Sequence, residues 1–196
     1  MEDLIKKRED WMTQGNLRLK IVCDEDVDNP RQERYNLGKI YFPEVSRYSG
    51  INESPELKSM VEESDNLEEL LITAKKTGWI ILPVYMLDHS GVSFSCDSFN
   101  DPWDSGLRGV IGVSPEDIRK AYGGIRRVTK KCRDAAERVL RAEIETLNMW
   151  SHGDVYGVIV ENESTGETVD SVWGVYGWEY ALETGRDMME YSVCNA

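Results

Sequence analysis

The sequence predicts an α+β fold, with a single domain over residues 1–196, a mainly antiparallel sheet and several packed helices. Short segments that alternate in the manner of a strand are mostly joined by tight turn signals, which is typical of hairpins and therefore of antiparallel pairing. Segments with helical periodicity lie between these hairpins. No repeat or linker composition divides the chain of 196 residues.

The first half of the chain predicts one strand and two helices. Residues 17–22 alternate apolar with basic side chains, as a half-buried strand does, and an acidic turn follows at 24–30. Serine, proline and glutamate at 54–56 are a helix-start signal, because serine caps free N–H groups and proline suits the first helical position. A second helix is expected over 64–76, opened by serine and aspartate and ended by a glycine. Residues of about 54–77 therefore form an acidic helical stretch.

The centre of the chain predicts a hairpin and a further strand. The apolar run at 79–86 is typical of a strand covered on both faces, and Pro83 within it indicates an edge or bulge position. A turn at 88–91 returns the chain through a second strand at 92–95. Another short strand is expected at 109–113.

The last third predicts two helices around a second hairpin, after a short helix that begins at the serine and proline of 114–117. A long helix is expected over 129–149, because its apolar residues recur at helical spacing. The residues on that face are Cys132, Ala136, Val139, Leu140, Ile144 and Leu147. The hairpin pairs 155–160 with 168–175, and a helix follows near 179–189.

Composition and charge exclude several classes of protein. The chain carries 23 basic and 36 acidic residues, a formal net charge of −13, which argues against a protein that coats DNA or binds anionic membranes over its whole surface. Its longest apolar run is too short for a membrane span, and its charged N-terminus lacks the apolar core of a signal peptide. The four cysteines lie far apart without a C-x-x-C pair. We expect a cytoplasmic protein with reduced thiols, no membrane contact, no metal site and no cofactor.

Acidic residues of the first half are the first candidate for partner binding. Along residues 56–69, six carboxylates over fourteen helical residues span about 21 Å, one per roughly 3.5 Å, comparable with the phosphate spacing of about 3.4 Å along one DNA strand. Such a surface can occupy a site that nucleic acid otherwise fills. The predicted contacts are Asp24, Glu25, Asp26, Asp28, Glu62, Glu63, Asp65, Glu68 and Glu69.

A basic segment of opposite charge is the second candidate. Residues 119–141 hold nine basic and two acidic residues, a local charge of +7, whereas the rest of the chain carries −20. This segregation suits contact with nucleic acid, with an acidic partner, or with the acidic residues of this chain or a second copy. The predicted nucleic-acid contacts are Arg126, Arg127, Lys130, Lys131 and Arg133.

An enzymatic interpretation is the third alternative. Asp88, His89, Asp97 and Asp104 bring together the residue types of a metal-assisted or nucleophilic hydrolase. No serine has the strained G-x-S-x-G presentation of a catalytic nucleophile, and the acidic run at 24–30 lacks the glycine and the final glutamate of a calcium loop. We therefore expect no catalytic residues. His89 and Asp104 are expected to be buried or half-buried residues that hold two loops together, with Trp103 packed beneath them.

Several motifs resemble those of a family of small proteins carried by phages, plasmids and bacterial genomes. The motifs cover most of the chain: Asp28-Asn29-Pro30-Arg31, Asn36-Leu37-Gly38, Leu82-Pro83-Val84-Tyr85, Asp88-His89-Ser90-Gly91, Pro102-Trp103-Asp104-Ser105-Gly106, the 116–123 helix, Thr129-Lys130-Lys131, Gly153-Asp154-Val155-Tyr156-Gly157 and Ser171-Val172-Trp173-Gly174-Val175-Tyr176-Gly177. The chain departs from the family pattern at Asp101, where cysteine is expected, at Leu107-Arg108, where glutamine and valine are expected, and in its acidic helical stretch.

The resemblance implies a mobile-element origin, and small acidic proteins of such elements are often inhibitors of host defence. The expected function is accordingly an anti-CRISPR-like or antirestriction inhibitor in the host cytosol. Its partner would be a nucleic-acid-processing defence enzyme, a CRISPR effector or a restriction enzyme, bound through the acidic residues. The alternatives are a nucleic-acid-binding accessory protein that uses the 119–141 segment, and a metal-assisted hydrolase at Asp88, His89 and Asp104.

Overall fold

The computed structural model describes residues 12–32, 35–44 and 54–194. The elements in chain order are β1 (Met12–Gln14), β2 (Leu17–Cys23), a 3-10 turn (Pro30–Gln32), β3 (Lys39–Tyr41), α1 (Pro55–Glu62), α2 (Leu67–Thr77), β4 (Ile80–Asp88), β5 (Val92–Ser95), β6 (Ser105–Val113), α3 (Pro115–Ala121), α4 (Lys130–Ser151), β7 (Val155–Asn162), β8 (Thr168–Tyr176) and α5 (Trp178–Cys194). Every strand pair in the described residues is antiparallel, which confirms the predicted α+β class. None of the helices described is long and apolar enough to cross a bilayer.

The chain divides into two compact units, which are residues 1–28 with 149–196, and residues 29–148. Each unit contains one four-stranded sheet. The expectation of a single domain over 1–196 stays a prediction, because two compact units can unfold either together or separately.

The first unit is a sheet of order β1-β2-β7-β8 with α5 packed on it. The alternation of residues 17–22 puts Leu19 and Ile21 into the core, where they meet Val158, Val160 and Met189. Burial of these apolar side chains is the main favourable term for the unit. Strand β8 lies at the sheet edge, and its residues 168–174 are exposed.

The second unit is a sheet of order β3-β6-β4-β5. Helices α1 and α2 pack on it through Leu57 and Leu70, which share a core cluster with Tyr41, Ile81 and Val110. Strand β5 pairs only with residues 85–88 of β4.

Pro83 of β4 has a neighbouring strand on one side only among the described residues. Pro83 lies beyond the reach of β5, next to a register shift between Val84 and Tyr85. A residue without an N–H group can occupy such a position without breaking a ladder on both sides. The predicted edge or bulge position is therefore confirmed.

Local helix signals were mostly reliable. Ser54 and Ser114 cap α1 and α3, accepting hydrogen bonds from the N–H groups of Leu57 at 3.3 Å and Asp117 at 3.0 Å. The predicted start of the second helix at Ser64 is wrong. Asn66 caps α2 instead by accepting from the N–H of Glu69 at 3.0 Å, and an amide oxygen caps as well as a hydroxyl does.

The long helix α4 buries Ala136, Leu140, Ile144 and Leu147, as its periodicity predicted. Val139 does not belong to that face: it is 37% exposed. It lies three residues after Ala136 but directly before Leu140, so its side chain points about 100° away from the buried stripe.

A buried ion pair joins residues 30–38 to α4. Arg31 Nη1 lies 2.7 Å from Glu143 Oε2, with the two side chains only 3% and 12% exposed. Arg31 Nη2 also donates to the Gly38 carbonyl oxygen at 2.6 Å, and Glu143 Oε1 accepts from the Leu37 N–H at 2.6 Å. The pair therefore holds residues 30–38 against α4, the helix that carries several of the basic residues.

Candidate functional surfaces

The predicted acidic residues of α1 and α2 are all exposed, and some of them also stabilise the helices. Glu62 accepts a hydrogen bond from the Tyr41 hydroxyl at 3.0 Å, and Glu63 accepts one from the Ser59 hydroxyl at 2.6 Å. Glu69 accepts from the N–H of Asp65, the residue before the N-cap of α2, at 2.9 Å. The carboxylates of Asp65 and Glu68 make no hydrogen bond or ion pair with any described residue. We call these five residues the acidic surface.

The other predicted acidic residues lie in the first unit. Asp24 Oδ2 accepts from the Gly174 N–H at 3.0 Å, so part of this side chain holds β8. Asp24 and Glu25 line a concavity of about 740 Å³ together with His152 and Asp154. Glu25, Asp26 and Asp28 are exposed. These residues belong to the first unit, whereas the acidic surface belongs to the second.

Of the nine cations of residues 119–141, three are engaged within the fold, five are exposed, and Arg119 is half-buried. Some are engaged within the fold: Arg133 donates to the carbonyl oxygens of Gly78 at 2.9 Å and Trp79 at 3.2 Å, at the end of α2. Lys120 pairs with Glu116 at 2.8 Å, and Arg141 pairs with Asp97 at 3.2 Å. Arg133 was expected to contact nucleic acid, and its guanidinium here stabilises the chain.

A second group of these cations faces solvent around the start of α4. Five side chains are exposed and form no ion pair with any described residue: Arg126, Arg127, Lys130, Lys131 and Arg138. We call these five residues the basic surface. The sequence prediction missed Arg138, although it lies two helical turns from Lys130 and Lys131 and lines the same shallow groove on α4. The first turn of α4 holds no acidic residue.

An apolar cleft of about 230 Å³ lies in the second unit, between the helical pair α1–α2 and β6. Val61, Leu67, Leu70, Leu107 and Val110 supply its apolar lining. Polar lining residues are Glu44, Ser64, Asn66 and Arg108. Leu107 is 42% exposed although it is a large apolar residue. The sequence prediction did not find this cleft, whose lining comes from residues far apart in the chain.

The two central loops meet, as expected, but they are not buried. His89 Nδ1 lies 2.8 Å from Asp104 Oδ2, with the side chains 70% and 43% exposed. The Asp88 N–H donates to the Asp104 carbonyl oxygen at 3.0 Å. The prediction that His89 and Asp104 are buried or half-buried is therefore wrong, although their contact joins the loops.

Trp103 does not pack beneath this contact, as was predicted, but is 91% exposed. Asp101 determines the local conformation by accepting from the N–H groups of Trp103 at 2.9 Å and Asp104 at 3.0 Å. The resulting turn directs the indole towards solvent. The N–H groups of Asp104 and Trp103 also lower the pKa of Asp101, because they stabilise its ionised form.

Of the residues of the hydrolase alternative, His89 and Asp104 are paired with each other, whereas Asp97 has a different partner. Asp97 is bound to Arg141 rather than to the His89–Asp104 pair. The neighbouring thiol of Cys96 is buried, and this burial raises its pKa to about 11. A thiol with so high a pKa is a poor nucleophile at neutral pH, since only the thiolate attacks. No group of three or more potential metal ligands occurs among the described residues.

Comparisons of the chain with family models, with curated proteins and with solved structures find no match.

Proposed function

We propose that this protein is a non-enzymatic inhibitor encoded by a mobile element, and that it binds a nucleic-acid-processing defence enzyme of the host cytosol through its acidic surface. The supporting observation is that Glu62, Glu63 and Asp65 flank residues that line the apolar cleft. Protein interfaces combine a buried apolar anchor with a polar rim, whereas a purely solvated acidic helix offers no anchor.

A basic groove that normally holds phosphates is the natural complement of this surface. The acidic surface carries five carboxylates, and two of them, Asp65 and Glu68, are free of partners in the described chain. Charge complementarity mainly raises the association rate and makes it sensitive to salt. Inhibition would follow because the carboxylates occupy the sites of the phosphates that the enzyme must bind.

The first experiment is a pull-down from a host that carries restriction and CRISPR systems, followed by a cleavage assay on the recovered enzyme. Four acidic residues are then neutralised together: Glu62→Gln, Glu63→Gln, Asp65→Asn and Glu68→Gln. The amides keep the hydrogen-bond acceptors that Tyr41 and Ser59 use. We expect the association rate at low salt to fall at least tenfold and inhibition to be lost.

A matched control removes the same number of charges from an exposed helix in the other unit. The four substitutions are Glu179→Gln, Glu183→Gln, Asp187→Asn and Glu190→Gln, all on α5. This variant has the same net charge but keeps the acidic surface, so it should inhibit normally. Equal inhibition by the two variants would contradict the proposal.

A second function is supported by an independent observation, the five unpaired cations of the basic surface. Here we propose a nucleic-acid accessory role in which these cations contact phosphates. Four or five contacts predict that the logarithm of the affinity falls with the logarithm of salt concentration at a slope of about −4, by about 0.9 per contact. Replacing Lys130 and Lys131 by glutamine should lower that slope by about 2.

The control for this second function is the pair Lys75→Gln and Lys76→Gln, which removes two exposed cations from α2. It should leave the salt slope unchanged. Absence of any mobility shift at low salt, or a slope close to zero, would reject the nucleic-acid role.

A further inference from the structure

Trp103 is a large aromatic side chain that the fold presents to solvent. It lies in the loop between β5 and β6 and is 91% exposed. Tryptophan is highly buried on average, because its indole is large and mostly apolar. An aromatic side chain in this position offers a partner roughly 150–250 Å² of surface to bury.

Hydrogen bonds hold the backbone that carries this indole. Asp101 Oδ1 accepts from the N–H groups of Trp103 at 2.9 Å and Asp104 at 3.0 Å. The Ser105 hydroxyl donates to the carbonyl oxygen of Asp101 and closes the same turn. The exposure of Trp103 is therefore the product of an ordered turn.

A second set of contacts attaches this turn to the hairpin loop at 88–91. Asp104 Oδ2 lies 2.8 Å from His89 Nδ1, and the Asp104 carbonyl oxygen accepts from the Asp88 N–H at 3.0 Å. An anchor that is already held in place loses little conformational entropy when a partner binds it. Such preorganised tryptophans are typical of the residues that dominate the binding energy of protein interfaces.

The two joined loops carry negative charge around the indole. Residues 88–91 and 101–105 contain three aspartates, Asp88, Asp101 and Asp104, and no lysine or arginine. These carboxylates disfavour a nucleic acid, whose phosphates they repel, and a second copy would bring the same three aspartates against them. The complementary surface is an apolar pocket of another protein with lysine or arginine at its rim.

The anchor and the acidic surface are close enough to belong to one interface. Four residues of chain separate Trp103 from Leu107, so their Cα atoms lie at most about 14 Å apart. Leu107 lines the apolar cleft together with Ser64 and Asn66, the two neighbours of Asp65. An interface of ordinary size covers about 800 Å² on each partner and can include both features.

We infer that Trp103 is the aromatic anchor that this protein inserts into an apolar pocket of its partner protein, a pocket rimmed by lysine or arginine. This inference rests on the proposed function and names the chemistry of the partner. The indole supplies the apolar contact, the turn at 101–105 holds it in place, and the three aspartates select the cationic rim.

The first test uses the protein alone with model pockets. A β-cyclodextrin that carries amino groups at one rim offers an apolar cavity edged by cations, neutral β-cyclodextrin offers the cavity alone, and sulfated β-cyclodextrin reverses the charge. The difference in fluorescence between wild type and Trp103→Phe isolates the Trp103 signal. We expect acrylamide to quench this signal almost as efficiently as that of free N-acetyltryptophanamide, and the amino form to bind most tightly. A shielded Trp103 signal, or equal binding of the three forms, would overturn the inference.

A matched pair of charge variants tests the role of the aspartates. Asp88→Asn with Asp104→Asn should reduce the preference for the amino form, and asparagine still offers an acceptor to the His89 ring. Glu183→Gln with Asp187→Asn removes the same charge from α5 and should leave the preference unchanged. Equal preferences in the two variants would exclude selection by the loop carboxylates.

Binding of the defence enzyme recovered by the wild type tests the anchor itself. Trp103→Ala should weaken this binding at least about thirtyfold, equivalent to about 2 kcal/mol, the usual threshold of an interface hot spot. Tyr180→Ala is the matched control, because Tyr180 is 62% exposed on α5 in the other unit. Thermal unfolding checks that both variants are folded. Equal affinities of the two variants would refute the assignment.

Failure of this inference can be distinguished from failure of the proposed function. If Trp103→Ala inhibits normally while the four-residue acidic variant does not, the proposed function stands and this inference is wrong. If Trp103→Ala loses binding while the acidic variant inhibits normally, the anchor stands and the proposed function is wrong. A wild type that sediments as a dimer, with a monomeric Trp103→Ala, would mean that a second copy covers the indole and would overturn the inference.

Discussion

Replacing Glu143 by glutamine tests how strongly the buried pair with Arg31 holds residues 30–38 to α4. The carboxylate of Glu143 accepts from Arg31 Nη1 at 2.7 Å and from the Leu37 and Gly38 N–H groups at 2.6 and 3.1 Å. Glutamine keeps one oxygen acceptor but turns an amide N–H₂ group towards the guanidinium. Arg31 then remains charged, buried and without its counter-ion.

The magnitude follows from this burial. Removing one partner of a buried ion pair typically costs about 3–5 kcal/mol, because the other charge stays desolvated. Arg31 has little room to adapt, since its Nε is already buried without a hydrogen-bond partner among the described residues. For a chain of this size, each kcal/mol lowers the melting temperature by about 2–4 °C, so we expect a loss of roughly 6–20 °C.

The assay is thermal and urea unfolding of the wild type, Glu143→Gln, Arg31→Met and the double variant Arg31→Met with Glu143→Gln, in which the glutamine oxygen can still accept from the Leu37 N–H. Glu145→Gln is the matched control, because it removes a charge from an exposed position of the same helix. The double variant should recover much of the stability that each single variant loses, since no uncompensated charge remains. A Glu143→Gln variant as stable as Glu145→Gln would show that the buried pair does not hold residues 30–38 to α4.

Three further predictions concern single residues. Cys96 should react with a thiol reagent far more slowly than the exposed Cys23. Burial raises the Cys96 pKa to about 11, whereas the thiol of the unfolded chain ionises near 9. The free energy of unfolding should therefore fall as pH rises from about 9 towards 11. The difference in unfolding free energy between wild type and Asp101→Asn should shrink as pH falls below about 4. The reason is that the pKa of the Asp101 carboxyl is lower in the folded chain, so its charge stabilises the fold fully only at a pH where the unfolded chain is ionised as well. A difference that does not depend on pH would contradict this. Gly109→Ala should strongly destabilise the protein, because a Cβ there overlaps the Phe42 ring and the Tyr41 carbonyl oxygen. Gly106→Ala should unfold much as the wild type does, since the atom nearest to the added Cβ, on the Arg108 side chain, lies 3.8 Å away.

Local signals explain which parts of the fold could be predicted from the sequence. A capping serine accepts from N–H groups two or three residues away, so Ser54 and Ser114 correctly predicted the starts of their helices. The same locality explains the error at α2, where Ser64, Asp65 and Asn66 are all competent caps. The backbone conformation selected Asn66.

Side-chain burial at the central loops could not be read in this way. A tryptophan is buried in most proteins, and that preference predicted a packed Trp103. The turn around Asp101 directs it outward instead. Whether a loop side chain reaches a core depends on the direction of the backbone at that residue, which no composition rule specifies.

Local sequence patterns were sufficient to predict the α+β class, the hairpins, most helix ends and the segregation of charge, because these features depend on neighbours within a few residues. Which charged side chains are engaged within the fold and which face solvent depends on the tertiary structure. Arg133 and Arg141 are engaged within the fold, whereas Lys130, Lys131 and Arg138 of the same helix face solvent. It also placed the apolar cleft beside the acidic surface. Both results depend on contacts between residues far apart in the chain, whose distances follow only from the path of the folded backbone.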